Sequence, residues 1–157
     1  MAYLLKRGKC FFENGDFDSA IEVFSHGVRM YPKYGTATRP LHLPVMPMRS
    51  LSPFSVAFYN NRSACFYKSG DLERALADAT EAARLLTPAV KANAEERAKA
   101  QARAAAALAG LGRPEEALAA LDAAVVCLPD HAGLRADRDR MRRELGDGSG
   151  SEASDSS

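Results

Sequence analysis

Three stretches of the chain repeat one order of small and large apolar positions. In the first, Gly8-Lys9-Cys10-Phe11-Phe12-Glu13-Asn14-Gly15-Asp16-Phe17 leads to Ala20, Phe24, Gly27 and Pro32. In the second, Ser63-Ala64-Cys65-Phe66-Tyr67-Lys68-Ser69-Gly70-Asp71-Leu72, offset by 55, leads to Ala75, Ala79 and Ala82, with Pro88 one place late. In the third, Ala105-Ala106-Ala107-Leu108-Ala109-Gly110-Leu111-Gly112-Arg113-Pro114, offset by 97 from the first, leads to Ala117, Leu121, Ala124 and Pro129. Apolar residues three and four apart share one helical face, while glycine and proline punctuate helix ends. The pattern predicts paired helices over 2–14 and 17–30, 55–69 and 72–86, and 90–111 and 114–127. Asp16 and Asp71 stand where a cap is wanted, and Pro114 falls in a first turn, where its missing N–H is no loss. A last helix over 131–145 carries Leu134 and Met141 among Arg and Asp, the polar-faced cap that a solenoid end needs.

Small residues at matching positions of two successive helices let the helices approach, and large residues fill the space between hairpins. That order is the signature of the 34-residue tetratricopeptide repeat (TPR), a helix–turn–helix unit. The fold expected is all-α, a TPR helix–turn–helix solenoid of three repeats with a C-terminal capping helix. Its segments are repeat one at 1–34, an insertion at 35–55, repeat two at 56–88, and repeat three with a lengthened first helix at 89–130. The capping helix follows at 131–145, then a disordered acidic and Ser-rich tail at 146–157. The spacing exceeds the repeat length by 21 residues between copies one and two and by 8 between copies two and three. Pro40, Pro44, Pro47 and Pro53 prevent a regular helix in the first insertion, and a structureless connection of that length is unusual in a compact domain. Two readings stay open there: a tolerated surface insertion or gene-prediction artefact, and a docking segment, since Pro44-Val45-Met46-Pro47 has PxxP spacing. Repeats one and two are expected to pack regardless, because loop-closure cost grows slowly with length.

Composition narrows the function classes. The 157 residues suit one compact domain plus a tail. A formal charge of +1 gives no global basic field toward nucleic acid. No apolar run approaches the ~20 residues of a membrane span, and the N-terminus lacks the charge order of a signal peptide. Cys10, Cys65 and Cys127 are widely spaced without a CxxC pair, which reads as reduced thiols and not as a zinc or disulfide framework. His26, His42 and His131 are isolated, and no HExxH or glycine-rich phosphate loop occurs. The expectation is a non-enzyme, with no catalytic residues, metal or cofactor.

The first helices of the three hairpins line the concave side of such a stack. Lys99 and Arg103 lie four apart on one helical face, with Asn61 of the neighbouring repeat near the same height. An ammonium, a guanidinium and an amide can hold a carboxylate, at about 1.5–3 kcal/mol per charge-assisted bond. The alternative is a solvated face on an Ala-rich helix.

Tyr59-Asn60-Asn61-Arg62-Ser63-Ala64-Cys65 resembles the second repeat of co-chaperone TPR domains. The resemblance implies binding of the Glu-Glu-Val-Asp tails of Hsp70 and Hsp90 in a five-residue carboxylate clamp. Asn61, Lys99 and Arg103 match the clamp pattern. Leu5 stands where the pattern has Lys, and Lys9, still a source of positive charge, where it has Asn. The eight-residue excess between Ala83 and Ala100, with Leu85-Leu86-Thr87-Pro88-Ala89-Val90 and Asn93-Ala94, is similar to the C-terminal repeats of the dynein axonemal assembly factor 4 family. That likeness implies a cytoplasmic adaptor, with the nucleus and cilium as further compartments. It would act with Hsp70, Hsp90 and dynein-assembly clients in preassembly of ciliary dynein arms, without its relatives' N-terminal CS domain. The alternative is a generic TPR scaffold that holds its client through apolar groove contacts, an option Leu5 motivates.

Overall fold

The structure, a computed structural model, describes residues 2–30, 53–87 and 89–148. Among these residues the chain forms α1 (Ala2–Glu13), α2 (Phe17–Met30), α3 (Pro53–Ser69), α4 (Leu72–Leu85), a 3-10 turn (Lys91–Asn93), α5 (Ala94–Gly110), α6 (Pro114–Cys127) and α7 (Ala132–Gly148). No strand occurs among them. Each α-helix packs against the next in chain order, and α3 also touches α1 and α5. The result is three stacked helical hairpins closed by α7, the all-α TPR solenoid expected. The PxxP stretch and the rest of the first insertion up to Ser52, Pro88 and the tail from Ser149 lie outside the described residues.

One turn is built three times. Gly15 N–H donates to Phe12 O at 3.1 Å, and Asp16 N–H reaches back to Phe11 O at 2.9 Å. Gly70 and Asp71 repeat this on Tyr67 and Phe66, and Gly112 and Arg113 on Ala109 and Leu108. Such a helix end needs a left-handed residue, and the three glycines have φ of 78°, 87° and 72°. The next residue opens the second helix. Asp16 Oδ1 accepts from Ser19 N–H, and Asp71 Oδ1 from Arg74 N–H, both at 3.1 Å. In the third hairpin Arg113 replaces the acid, and Pro114 sits at the start of α6.

Small residues set how closely the helices approach. Ala20, Ala75 and Ala117 are fully buried at equivalent points of α2, α4 and α6. A Cβ on Gly8 would lie 2.4 Å from the Phe24 ring, and one on Gly27 would lie 2.3 Å from the Phe58 ring. Gly8 and Gly27 thus make room for two large rings, which themselves lie 6.4 Å apart, centroid to centroid.

The joint between repeats one and two carries a polar centre. Arg62 of α3 donates to Asp78 of α4 at 2.7 and 2.8 Å, and to Ser25 Oγ of α2 at 3.0 Å. Its guanidinium lies over the rings of Tyr59 and Phe66, at 5.4 and 5.8 Å. The bond to Asp78 raises the Arg62 pKa, while burial holds the Asp78 carboxyl above its ordinary value. Repeats one and two thus abut, as the loop-closure argument requires.

Pro53, expected to prevent helix in the insertion, instead opens α3, and the boundaries differ from expectation by more than two residues in two places. The lengthened helix expected over 90–111 is divided: a 3-10 turn precedes α5, which starts at Ala94. Asn93 causes the break, accepting from Val90 N–H at 3.1 Å and donating to Leu86 O at 2.8 Å. Its side chain ties the loop after α4 to the start of α5, an Asn habit that competes with helix. At the other end α7 runs to Gly148, three residues into the tail expected to be disordered. Leu145, in that last turn, is half-buried.

Candidate peptide-binding groove

The first helices of the hairpins, α1, α3 and α5, meet around one cavity of about 240 Å³. Phe12 of α1, Ala64, Tyr67 and Lys68 of α3, and Ala102, Arg103 and Ala106 of α5 line it. Tyr67 also borders a neighbouring groove that continues between α5 and α7 over Ala106, Ala109 and Met141, with Asp137 and Arg140 at its edge. Ala102, Ala106 and Ala109 recur at helical spacing along α5, so the floor has no large side chain. The lining is aliphatic and aromatic, with two cations, Lys68 and Arg103.

Arg103 is half-buried and forms no hydrogen bond or ion pair among the described residues. Burial lowers its pKa, opposed by the charge of Glu96. A guanidinium nonetheless stays charged at neutral pH. A desolvated cation without a carboxylate favours an anion beside it. Beneath it lies Cys65, fully buried, whose thiol burial pushes up to about 11. That thiol remains protonated and is not a nucleophile.

Of the four residues singled out from the sequence, Arg103 lines the cavity and Asn61, Lys99 and Lys9 do not. Asn61 is half-buried one turn before Ala64 on α3. Lys99 is exposed one turn before Arg103, bonded to Glu95 at 2.7 Å and Glu96 at 3.1 Å, and those two carboxylates raise its pKa. Glu96 also lies 3.5 Å from the buried Asn60 amide nitrogen. Lys9 is exposed on α1. Leu5, at the departure from the clamp pattern, is half-buried and packs with the cluster of Phe24 and Phe58.

Phe12, Tyr67 and Lys68 were not singled out, though a signal for them exists. Phe12 and Tyr67 are equivalent under the 55-residue offset, and Lys68 follows Asn61 by seven, on the same face. Among the described residues no group of three or more His, Cys, Asp or Glu side chains could hold a metal ion, and no helix is long and apolar enough to cross a membrane.

Family models described as tetratricopeptide repeat match residues 2–34 and 67–132, together more than half of the chain. Dynein axonemal assembly factor 4 of Rattus norvegicus is 28% identical over 140 residues, covering 89% of this chain. The chain spans only 28% of that relative's length. The first TPR of Spaghetti (RPAP3), solved bound to the HSP90 peptide SRMEEVD, has a TM-score of 0.68 at 18% identity, covering 92% of this chain and 94% of that one. The second TPR domain of human RPAP3, solved with the HSP70 peptide SGPTIEEVD, has a TM-score of 0.64 at 20% identity, covering 87% and 90%. At that identity the two solved structures speak to the fold, and the fold, the repeated turn and the two family models agree: the chain belongs to the tetratricopeptide-repeat family.

Proposed function

We propose that this chain is a co-chaperone-like adaptor whose concave groove holds acidic C-terminal tails of the Hsp70 and Hsp90 kind, in cytoplasmic preassembly of axonemal dynein arms. The observation that carries the reading is Arg103, a half-buried guanidinium without a carboxylate, facing a cavity with Lys68 on its rim. Arg103 is the primary carboxylate ligand in this reading. Asn61 and Lys99 assist from one turn away, and Lys9 adds positive charge. Lys99 exchanges its bonds to Glu95 and Glu96 for the tail, so its net contribution is small. The apolar floor accepts the aliphatic residue that accompanies the acids. The likeness to the rat assembly factor supports the dynein-arm setting, and the peptides bound by the two RPAP3 domains support the tail chemistry.

The test is a titration of a Glu-Glu-Val-Asp-ending peptide into the protein at two salt concentrations, beside Arg103→Ala and Lys99→Ala. Binding should weaken as salt rises, and Arg103→Ala should lower affinity by about ten-fold or more, the loss of one charge-assisted bond. No binding by the unsubstituted protein, or no change in the Arg103 variant, defeats the proposal. A second reading rests on Phe12, Tyr67 and the alanine floor: a client held by apolar contacts alone. Its mark is affinity that is insensitive to salt and to Arg103→Ala.

A further inference from the structure

Repeat one turns outward a face that repeat two buries. The 55-residue offset pairs Tyr3, Leu4, Arg7 and Phe11 of α1 with Phe58, Tyr59, Arg62 and Phe66 of α3. On α3 three of these positions, Phe58, Arg62 and Phe66, meet the preceding helix, α2, while Tyr59 packs with Val56 and Ala82. Phe58 is fully buried against Gly27 and in the cluster with Val28, Phe66 packs with Ile21, and Arg62 donates to Ser25. On α1 no described helix lies outside them, though Leu4 and Phe11 rest inward on the cluster of Ala20 and Phe24. Tyr3 is 69% exposed, Arg7 is exposed, and Leu4, Arg7 and Phe11 edge an open groove with Val23 and Arg29 of α2. This face of repeat one therefore carries the apolar positions of an established helix–helix joint.

The charges of the joint differ at one point. Arg62 finds its carboxylate within its own repeat, in Asp78. The equivalent pair in repeat three is Ala104 and Ala120, with no charge to satisfy. In repeat one the pair is Arg7 and Val23. Among the described residues Arg7 has no ion pair, only the Phe11 ring 5.6 Å away. A purely apolar helix laid over this face would bury an unpaired guanidinium, a strongly unfavourable arrangement. A helix with a carboxylate where α2 offers Ser25 would complete the pair. The second guanidinium on the groove, Arg29, adds to the preference for acid, set against the lining's one carboxylate, Glu22.

We propose that this end face of α1 and α2 is a second protein-binding surface, separate from the concave groove. Its partner is an amphipathic acidic helix of another protein. That helix presents apolar residues at the spacing of Ile21 and Val28, with Asp or Glu between them at the place of Ser25.

The probe is a stapled, fluorescein-labelled helical peptide of the α2 sequence Phe17–Met30 carrying Ser25→Asp, titrated into the 157-residue protein by anisotropy. It should bind about ten-fold more tightly than the unsubstituted peptide, the effect of one charge-assisted bond. Arg7→Glu should abolish binding. Val23→Asp, which gives Arg7 an internal acid as in repeat two, should erase the ten-fold preference while the melting curve holds. Excess Glu-Glu-Val-Asp peptide should not displace the helix, which keeps this result independent of the groove. The proposal falls if the acidic peptide does not bind, if both peptides bind equally, or if the tail peptide displaces it. It also falls if sedimentation shows a dimer lost in Arg7→Glu, which would assign the face to a second copy. Tighter binding after deletion of residues 33–52 would assign it to the chain's own insertion and overturn it as well.

Discussion

Arg62 and Arg103 show what one guanidinium does in two settings. Arg62 is held by Asp78, Ser25 and two aromatic rings, so its charge is spent inside the joint between repeats. Arg103 has comparable burial and feels the charge of Glu96 but forms no ion pair among the described residues, so its charge is available at the groove. The difference predicts opposite outcomes. Asp78→Ala should destabilise the protein by about 3 kcal/mol, because it strands a half-buried cation. Urea unfolding would read this, and a loss under 1 kcal/mol would mean that solvent or the rings already satisfy Arg62. Loss of Arg103 should spare stability and lower the proposed tail affinity by about ten-fold or more. Both arginines are visible in the sequence, but nothing local tells which one has a partner. Asp78 is 16 residues from Arg62 and Ser25 is 37 away, separations at which the sequence gives no pairing rule.

The hairpins were legible in the sequence almost to the residue, because their causes are local. Gly15, Gly70 and Gly112 all sit in the left-handed region, which costs a residue with a Cβ about 1–2 kcal/mol. Gly70→Ala should therefore lower stability by about 1 kcal/mol, despite open space around the position. An unchanged urea midpoint would contradict this. The caps at Asp16 and Asp71 and the proline opening α6 follow the same short-range logic. The helix expected over 90–111 did not follow it. Its composition favours helix, but one Asn side chain bonded seven residues back outweighs that preference and starts α5 late.

The stack as a whole draws stability from contacts between neighbouring hairpins, so its ends are unlike its middle. The α7 end is closed. Leu134 is buried with Ala98 and Ala124, and Met141 packs on the cluster of Leu108 and Leu121, while the outer face carries Arg and Asp. Removing residues 131–157 should uncover α6, lower the melting temperature and promote aggregation, as light scattering during a thermal ramp would show. A truncated protein that melts like the full chain and stays monomeric would mean that α7 is an appendage. The opposite end, at α1, keeps half-buried Leu4 and Phe11 beside solvent and an unpaired Arg7. The two ends of the described stack therefore differ: α7 covers one, and no described helix covers the other.

The repeat order, the helices, the turns, the caps and the small positions at the hairpin contacts all follow from the sequence. They depend on spacing within a helix or on the conformational needs of single residues. The candidate site was legible only in part. Asn61, Lys99 and Arg103 stand out by periodicity, yet of these only Arg103 lines the cavity, beside Phe12, Tyr67 and Lys68, which become neighbours only when α1, α3 and α5 are stacked. Which cations are already paired, which rings close the joints and which face is left without a neighbour were decided by packing, since each depends on residues brought together from different repeats.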